Sequence, residues 1–139
     1  MSRIIKFKAK SLVNIPDNGN IIIAKGEWVY GGLVYDCNRV WIDTEYYGQI
    51  LVDKNTVSEF TGIYDKNGDE IYEWDIIIDS FYDKKAKVVF IEGAFWLDYI
   101  IDFNKYETIH KRYQLMANYD NKTVLEKIGN IFDNEDLLQ

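Results

Sequence analysis

The stretch at 60–78, Phe-Thr-Gly-Ile-Tyr-Asp-Lys-Asn-Gly-Asp-Glu-Ile-Tyr-Glu-Trp-Asp-Ile-Ile-Ile, constrains the fold of this chain more than any other. Asn67-Gly68 joins the two residue types that most readily take the positive φ angles of a type I′ turn, and apolar or aromatic residues recur on both sides. A β-hairpin is therefore expected. Its second arm, 71–78, ends in Ile76-Ile77-Ile78 without alternation, the pattern of a strand covered on both faces. The same stretch is the acidic pole of the molecule. Asp65, Asp69, Glu70, Glu73, Asp75 and Asp79 stand against Lys66, a net of -5 within a whole-chain charge of -7.

The rest of the chain reads as short strands punctuated by turns. At 5–10, Ile5, Phe7 and Ala9 alternate with Lys6, Lys8 and Lys10, a half-buried strand. Its lysines would keep a sheet edge from pairing, or would offer a cationic stripe to an acidic partner. Asp17-Asn18-Gly19-Asn20 is a second turn, leading into Ile21-Ile22-Ile23. A strand over 27–35 is interrupted by Gly31-Gly32, where the missing side chains suggest a bulge or a close backbone approach. Strands follow at 39–43 and 49–53, joined by Tyr46-Tyr47-Gly48, and Asn55 is placed to cap a helical turn at 56–58. Glu92-Gly93 links strands at 86–91 and 94–101.

At 106–116 the pattern is double. Tyr106, Ile109, Tyr113 and Met116 share a helical face, while the β-branched and aromatic residues suit a strand; the spacing is read as a short helix. Asp120-Asn121-Lys122 then turns into a last strand at 124–132, and Asn134 opens a final turn through Leu137-Leu138. The expected fold is mainly β with minor α, built of antiparallel strands, either as one compact unit or as two lobes at 1–55 and 56–139, joined near 55–62.

Composition narrows the function classes. Eleven Tyr, seven Phe and four Trp exceed what small cores need, so some rings are expected on the surface, where a partner or a second copy would cover them. Cys37 is the single cysteine, so no internal disulfide forms, and a reducing cytoplasm is the expected compartment. No run approaches the ~20 apolar residues of a membrane helix. A pI near 4.7 argues against broad binding to a phosphate backbone.

The residues for common chemistries are mostly missing. Asp65, Asn67 and Asp69 match the first three ligand positions of a calcium loop, but Glu70 and Ile76 stand where that loop needs glycine and a bidentate acid. Cys37 and His110 lack the company of a zinc site and are read as a small buried thiol and a surface imidazole. No nucleophilic serine motif or phosphate-cradling glycine motif occurs. Glu73 and Asp75 flank Trp74 and would share one face of a regular strand, which suits an acid–base pair or, preferably, a solvated acidic face. Lys84, Lys85 and Lys87 would form a basic side with Lys105, Lys111 and Arg112 if the loops converge, the requirement for a nucleic-acid groove. No catalytic residue, metal or cofactor is expected.

One family resemblance runs through most of these features. Val52-Asp53, Thr56-Val57, Phe60-Thr61-Gly62, Asp65-Lys66-Asn67-Gly68, Glu70-Ile71-Tyr72-Glu73 and Asp75-Ile76 are similar to the core motif of the YopX family of phage and prophage proteins. Gly26-Glu27-Trp28-Val29-Tyr30-Gly31, Ile128-Gly129-Asn130-Ile131-Phe132 and Asn134-Glu135-Asp136-Leu137-Leu138 resemble further family segments. The resemblance implies a mainly β protein with a small SH3-like barrel in its second half, encoded by a phage or prophage and acting in the bacterial host cell. It supplies no catalytic residues. This chain departs from the family at Trp74, where glycine is usual and would permit a left-handed backbone.

The expected role is a non-enzymatic accessory protein that binds a host or phage protein or assembles with itself. Asp65, Asn67, Asp69, Glu70, Trp74, Lys6, Lys8 and Lys10 are its candidate contacts. A nucleic-acid-associated module using Lys84, Lys85, Lys87, Lys111 and Arg112 is the alternative, and a metal-dependent hydrolase or nuclease the third reading.

Overall fold

The computed structural model describes residues 4–80, 83–104, 107–114 and 125–138, and for 100–104 and 107–114 it describes the backbone. The fold is mostly β and antiparallel, and the chain divides into two compact units, Met1–Phe60 and Thr61–Gln139.

In the first unit, β1 (Phe7–Lys10) is followed by a small hairpin, β2 (Ile15–Asp17) and β3 (Asn20–Ile23), and then by β4 (Trp28–Asp36), β5 (Arg39–Thr44) and β6 (Gly48–Val52). A 3-10 turn, η1 (Lys54–Thr56), leads into β7 (Ser58–Tyr64), which continues into the second unit. The sheet order is β6-β5-β4-β1-β7. β1 is thus a central strand, paired with β4 on one side and β7 on the other, and the expectation that its lysines guard a sheet edge is corrected. Of the apolar half of the alternation, Ala9 joins Val29, Val40, Ile42, Ile50 and Val52 in the core and Phe7 packs against it with Leu33, whereas Ile5 precedes the strand and is 65% exposed, because pairing begins only at Phe7. Each buried valine and isoleucine contributes about 1.5–3 kcal/mol.

Gly31 has a structural reason. β4 pairs with β1 through Trp28 to Gly31 and with β5 from Gly32 onward, so the strand changes partner at this point. A Cβ on Gly31 would run into the Asp43 backbone carbonyl. The type I′ geometry lies at Asn18-Gly19, both at positive φ (51° and 82°), between the paired Asp17 and Asn20. The single helical turn lies at Lys54–Thr56, two residues earlier than expected, and its cap is Asp53 and not Asn55: the Asp53 backbone is extended and its Oδ1 accepts from Asn55 N at 3.0 Å.

In the second unit, β8 (Glu70–Tyr72), β9 (Asp75–Asp79), β10 (Lys84–Ile91), β11 (Ala94–Asn104), β12 (Glu107–Gln114) and β13 (Leu125–Asn130) precede a terminal 3-10 turn, η2 (Glu135–Leu138). The sheet order is β12-β11-β10-β9-β13. Ile71, Ile77, Ala86, Val88, Leu97, Tyr99 and Leu125 make its core. β9 is covered on both faces, Ile76 and Ile77 being fully buried. The small barrel expected in this half is replaced by an open sheet: β12 and β13 stand at its two ends, and β8 leaves it to lie beside β7.

Three local expectations change. The arm at 71–78 is broken at Glu73-Trp74, because a corner there sends β8 and β9 to different sheets. The Asn67-Gly68 hairpin is formed, but only Gly68 takes positive φ (83°). Gly68 N donates to Asp65 O at 3.1 Å and Asp65 N to Asp69 O at 2.8 Å, the pattern of a three-residue loop with a glycine bulge rather than type I′. The segment read as a helix at 106–116 is a strand wherever it is described, 107–114. β11 offers it an antiparallel partner from Trp96↔Gln114 to Asn104↔Glu107, and a helix that short has little stability of its own. Lys105, Tyr106, Met116, the Asp120-Asn121-Lys122 turn and Val124 lie outside the described residues, as does the His110 side chain.

Candidate functional site

The acidic stretch folds into a node centred on two buried carboxylates. Asp65, 2% exposed, accepts from Asn67 N at 2.8 Å and Asp69 N at 2.9 Å through Oδ1 and from Lys127 N at 2.9 Å through Oδ2. Asp75, fully buried, accepts from Tyr72 N at 2.7 Å, and Lys127 Nζ lies 3.4 Å from the same Oδ2. Lys127 Nζ also donates to Glu70 O at 3.0 Å and sits 5.7 Å from the centre of the Tyr72 ring. β13 is stitched to the hairpin loop further along, by Lys66 N to Leu125 O at 2.9 Å and by Lys66 Nζ to Glu126 at 3.2 Å. These bonds account for two of the six acids: Asp65 and Asp75 hold backbone amides that the loop and the corner would otherwise leave unmet.

The corner itself carries Trp74 at φ 71°, the left-handed region that costs an L-residue about 1–2 kcal/mol. The backbone therefore keeps the conformation that glycine favours, and two hydrogen bonds hold it there: Trp74 N donates to Val88 O at 2.7 Å, and Ile131 N donates to Trp74 O at 3.0 Å. The indole is half-buried.

The predicted contact residues thus divide. Asn67 and Asp69 are exposed at the hairpin tip, and Glu70 and Trp74 are half-buried, while Asp65 is turned inward and its carboxylate is occupied. Glu73 and Asp75 do not form a pair on one strand face: Asp75 is inside, and Glu73 lies in the corner. Lys6, Lys8 and Lys10 belong to the other unit, stacked against the rings of β4. Lys8 Nζ lies 4.5 Å and Lys10 Nζ 5.5 Å from the Trp28 ring centre, with Lys6 Nζ 5.9 Å from that of Tyr30. Lys8 is 2% exposed, so this stripe is partly interior.

Lys84 and Lys85 are exposed on β10 and Lys87 is half-buried. In the ladder the buried Asp98 is opposite Lys87 on one side and Arg112 on the other, and Lys111 is opposite Tyr99. Cys37 is exposed in the β4–β5 turn at φ 56°, which corrects the buried-thiol reading; the tight turn leaves its side chain no core to enter. Among the described residues, no group of three or more His, Cys, Asp or Glu is arranged to hold a metal ion, and no helix is long and apolar enough to cross a membrane.

Sequence reasoning missed Lys127, which no local pattern marks, and a groove in the first unit. The groove, about 220 Å³, is bordered by the β4–β5 turn, the end of β6 and η1. Leu12, Val40 and Leu51 give it apolar walls, and Arg39 and Lys54 stand at its exposed rim.

These features define a class: a mainly β, two-unit protein whose buried acids organise the backbone and whose exposed surface is rich in tyrosine. The chain belongs to the YopX protein family, whose model it matches over residues 20–139, and is in that sense a phage-type protein. No curated protein matches it.

Proposed function

We propose that this protein is a non-enzymatic interaction module of a phage or prophage, acting in the bacterial cytoplasm by binding a host or phage protein or a second copy of itself. The observation that carries this reading is the division of labour between acids and rings. Asp65 and Asp75 spend their carboxylate oxygens on backbone amides and Lys127. Meanwhile Tyr35 (69% exposed), Tyr46 (80%) and Tyr47 (51%) lie on the outside of the first unit. Such rings bury large areas at little entropic cost and suit a protein interface.

The test is affinity capture of the tagged chain from its bacterial host, with and without nuclease. A defined protein retained after nuclease and lost on Tyr46→Ser/Tyr47→Ser supports the reading. Capture that disappears with nuclease overturns it in favour of nucleic acid.

A further inference from the structure

The groove between the β4–β5 turn, β6 and η1 has a chemistry that selects its occupant. At about 220 Å³ it is smaller than the ~300–1,000 Å³ of typical small-molecule sites, so it suits an apolar side chain of a polypeptide better than a cofactor. Its apolar walls are Leu12, Val40 and Leu51. Above them stand two exposed cations in a chain of net charge -7, Arg39 and Lys54. Arg39 is held by stacking on the Trp41 ring, 4.9 Å from its centre. Its ion pair with Asp36, at 3.5 Å, is exposed on both sides and is cheaply exchanged for another carboxylate. Asp53, the acid at the groove, already accepts from Asn55 N.

A segment that carries carboxylates next to leucines would satisfy both halves of this groove, and the chain contains one. In η2, Glu135 and Asp136 are exposed, and Leu137 and Leu138 are half-buried. The turn is already closed by Leu137 N donating to Asn134 O at 2.9 Å, so docking it orders little that is not ordered beforehand. We infer that the groove of one copy receives the Glu135-Asp136-Leu137-Leu138 turn of a second copy, with Arg39 and Lys54 taking the carboxylates and a leucine entering between Leu12 and Leu51. The inference deepens the self-assembly side of the function proposed above and rests on it. Groove and turn are different patches, so the contact is heterologous and builds rings or open chains.

Sedimentation velocity of the full chain tests this. The interface is small, so association should emerge between roughly 10 μM and 1 mM. Arg39→Glu/Lys54→Glu should weaken it at least tenfold, and Glu135→Lys/Asp136→Lys should do the same; all four positions are exposed, and far-UV circular dichroism checks that each variant is folded. Mixing the two variants should restore a complex, because the basic turn of one then meets the acidic groove of the other. Concentration-independent sedimentation of the wild type overturns the inference, as does a mixture that stays dissociated. Association that survives both reversals also overturns it, while leaving self-assembly through another surface intact.

Discussion

Trp74 is the sharpest test of how backbone and side chain divide the work at the acidic corner. Its left-handed φ should cost about 1–2 kcal/mol relative to glycine, which has no Cβ to crowd the carbonyl. Against this, glycine loses about 0.5–1 kcal/mol more chain entropy on folding than alanine. Comparing Trp74→Gly with Trp74→Ala cancels the indole, since both variants lack it. Both should fall below the wild type by about 2–3 kcal/mol, the worth of roughly 100 Å² of half-buried ring. Between them the glycine variant should be the more stable by about 0.5–1 kcal/mol. At an ordinary extended or helical position the order is reversed. Urea unfolding followed by circular dichroism resolves this as a midpoint difference of about 0.3–0.5 M for a slope near 2 kcal/mol/M. Amide exchange at Ile131, which donates to Trp74 O, localises it. An alanine variant as stable as the glycine variant, or more so, would refute the left-handed assignment and the argument built on it.

Asp65→Ala should destabilise the second unit by about 2–3 kcal/mol, since three backbone N–H groups lose their acceptor, and exchange at Asn67, Asp69 and Lys127 should quicken together. Asp65→Asn should not rescue it fully, because one of the two accepting oxygens becomes an amide NH2, which donates and cannot accept. Lys127→Met should cost about 3 kcal/mol in urea unfolding by taking the ammonium from the buried Asp75. Gly31→Ala should cost about 3 kcal/mol, near the upper end for overpacking, because the atom it meets is the backbone carbonyl of Asp43 and not a movable side chain. Its effect should appear in the exchange of β4 and β5 amides.

Where a residue's role is set by its immediate neighbours, the sequence is legible. Glu92-Gly93 reads as a hairpin turn because Gly93 takes positive φ (82°) without crowding a side chain, and it does so between the paired Ile91 and Ala94. Ile76-Ile77-Ile78 reads as doubly covered because a solvated face would have required alternation. The strands from β4 to β6, and the chain's membership of the YopX family, follow from equally local patterns.

What escapes is whatever a distant partner decides. Asn67-Gly68 has the composition of a type I′ turn, yet Asp65 gathers the amides of Asn67 and Asp69 and widens the loop by one residue, and Asp65 is itself fixed by Lys127, sixty-two positions away. The lysines of β1 look like edge protection because alternation says which face a residue occupies, but not whether another strand lies beyond it; β7 supplies that strand from beyond residue 57. The segment at 107–114 satisfies a helical spacing and a strand composition at once, and only the length of β11 available to pair with it decides the outcome. The groove belongs to the same category. Arg39, Lys54 and Leu12 are unremarkable in sequence, and their convergence exists only because η1 returns the chain to the turn between β4 and β5. A binding surface made from such residues is recognised by the charge and shape they create together, which is why reversing Arg39 with Lys54, and not any hairpin acid, is the perturbation that interrogates it.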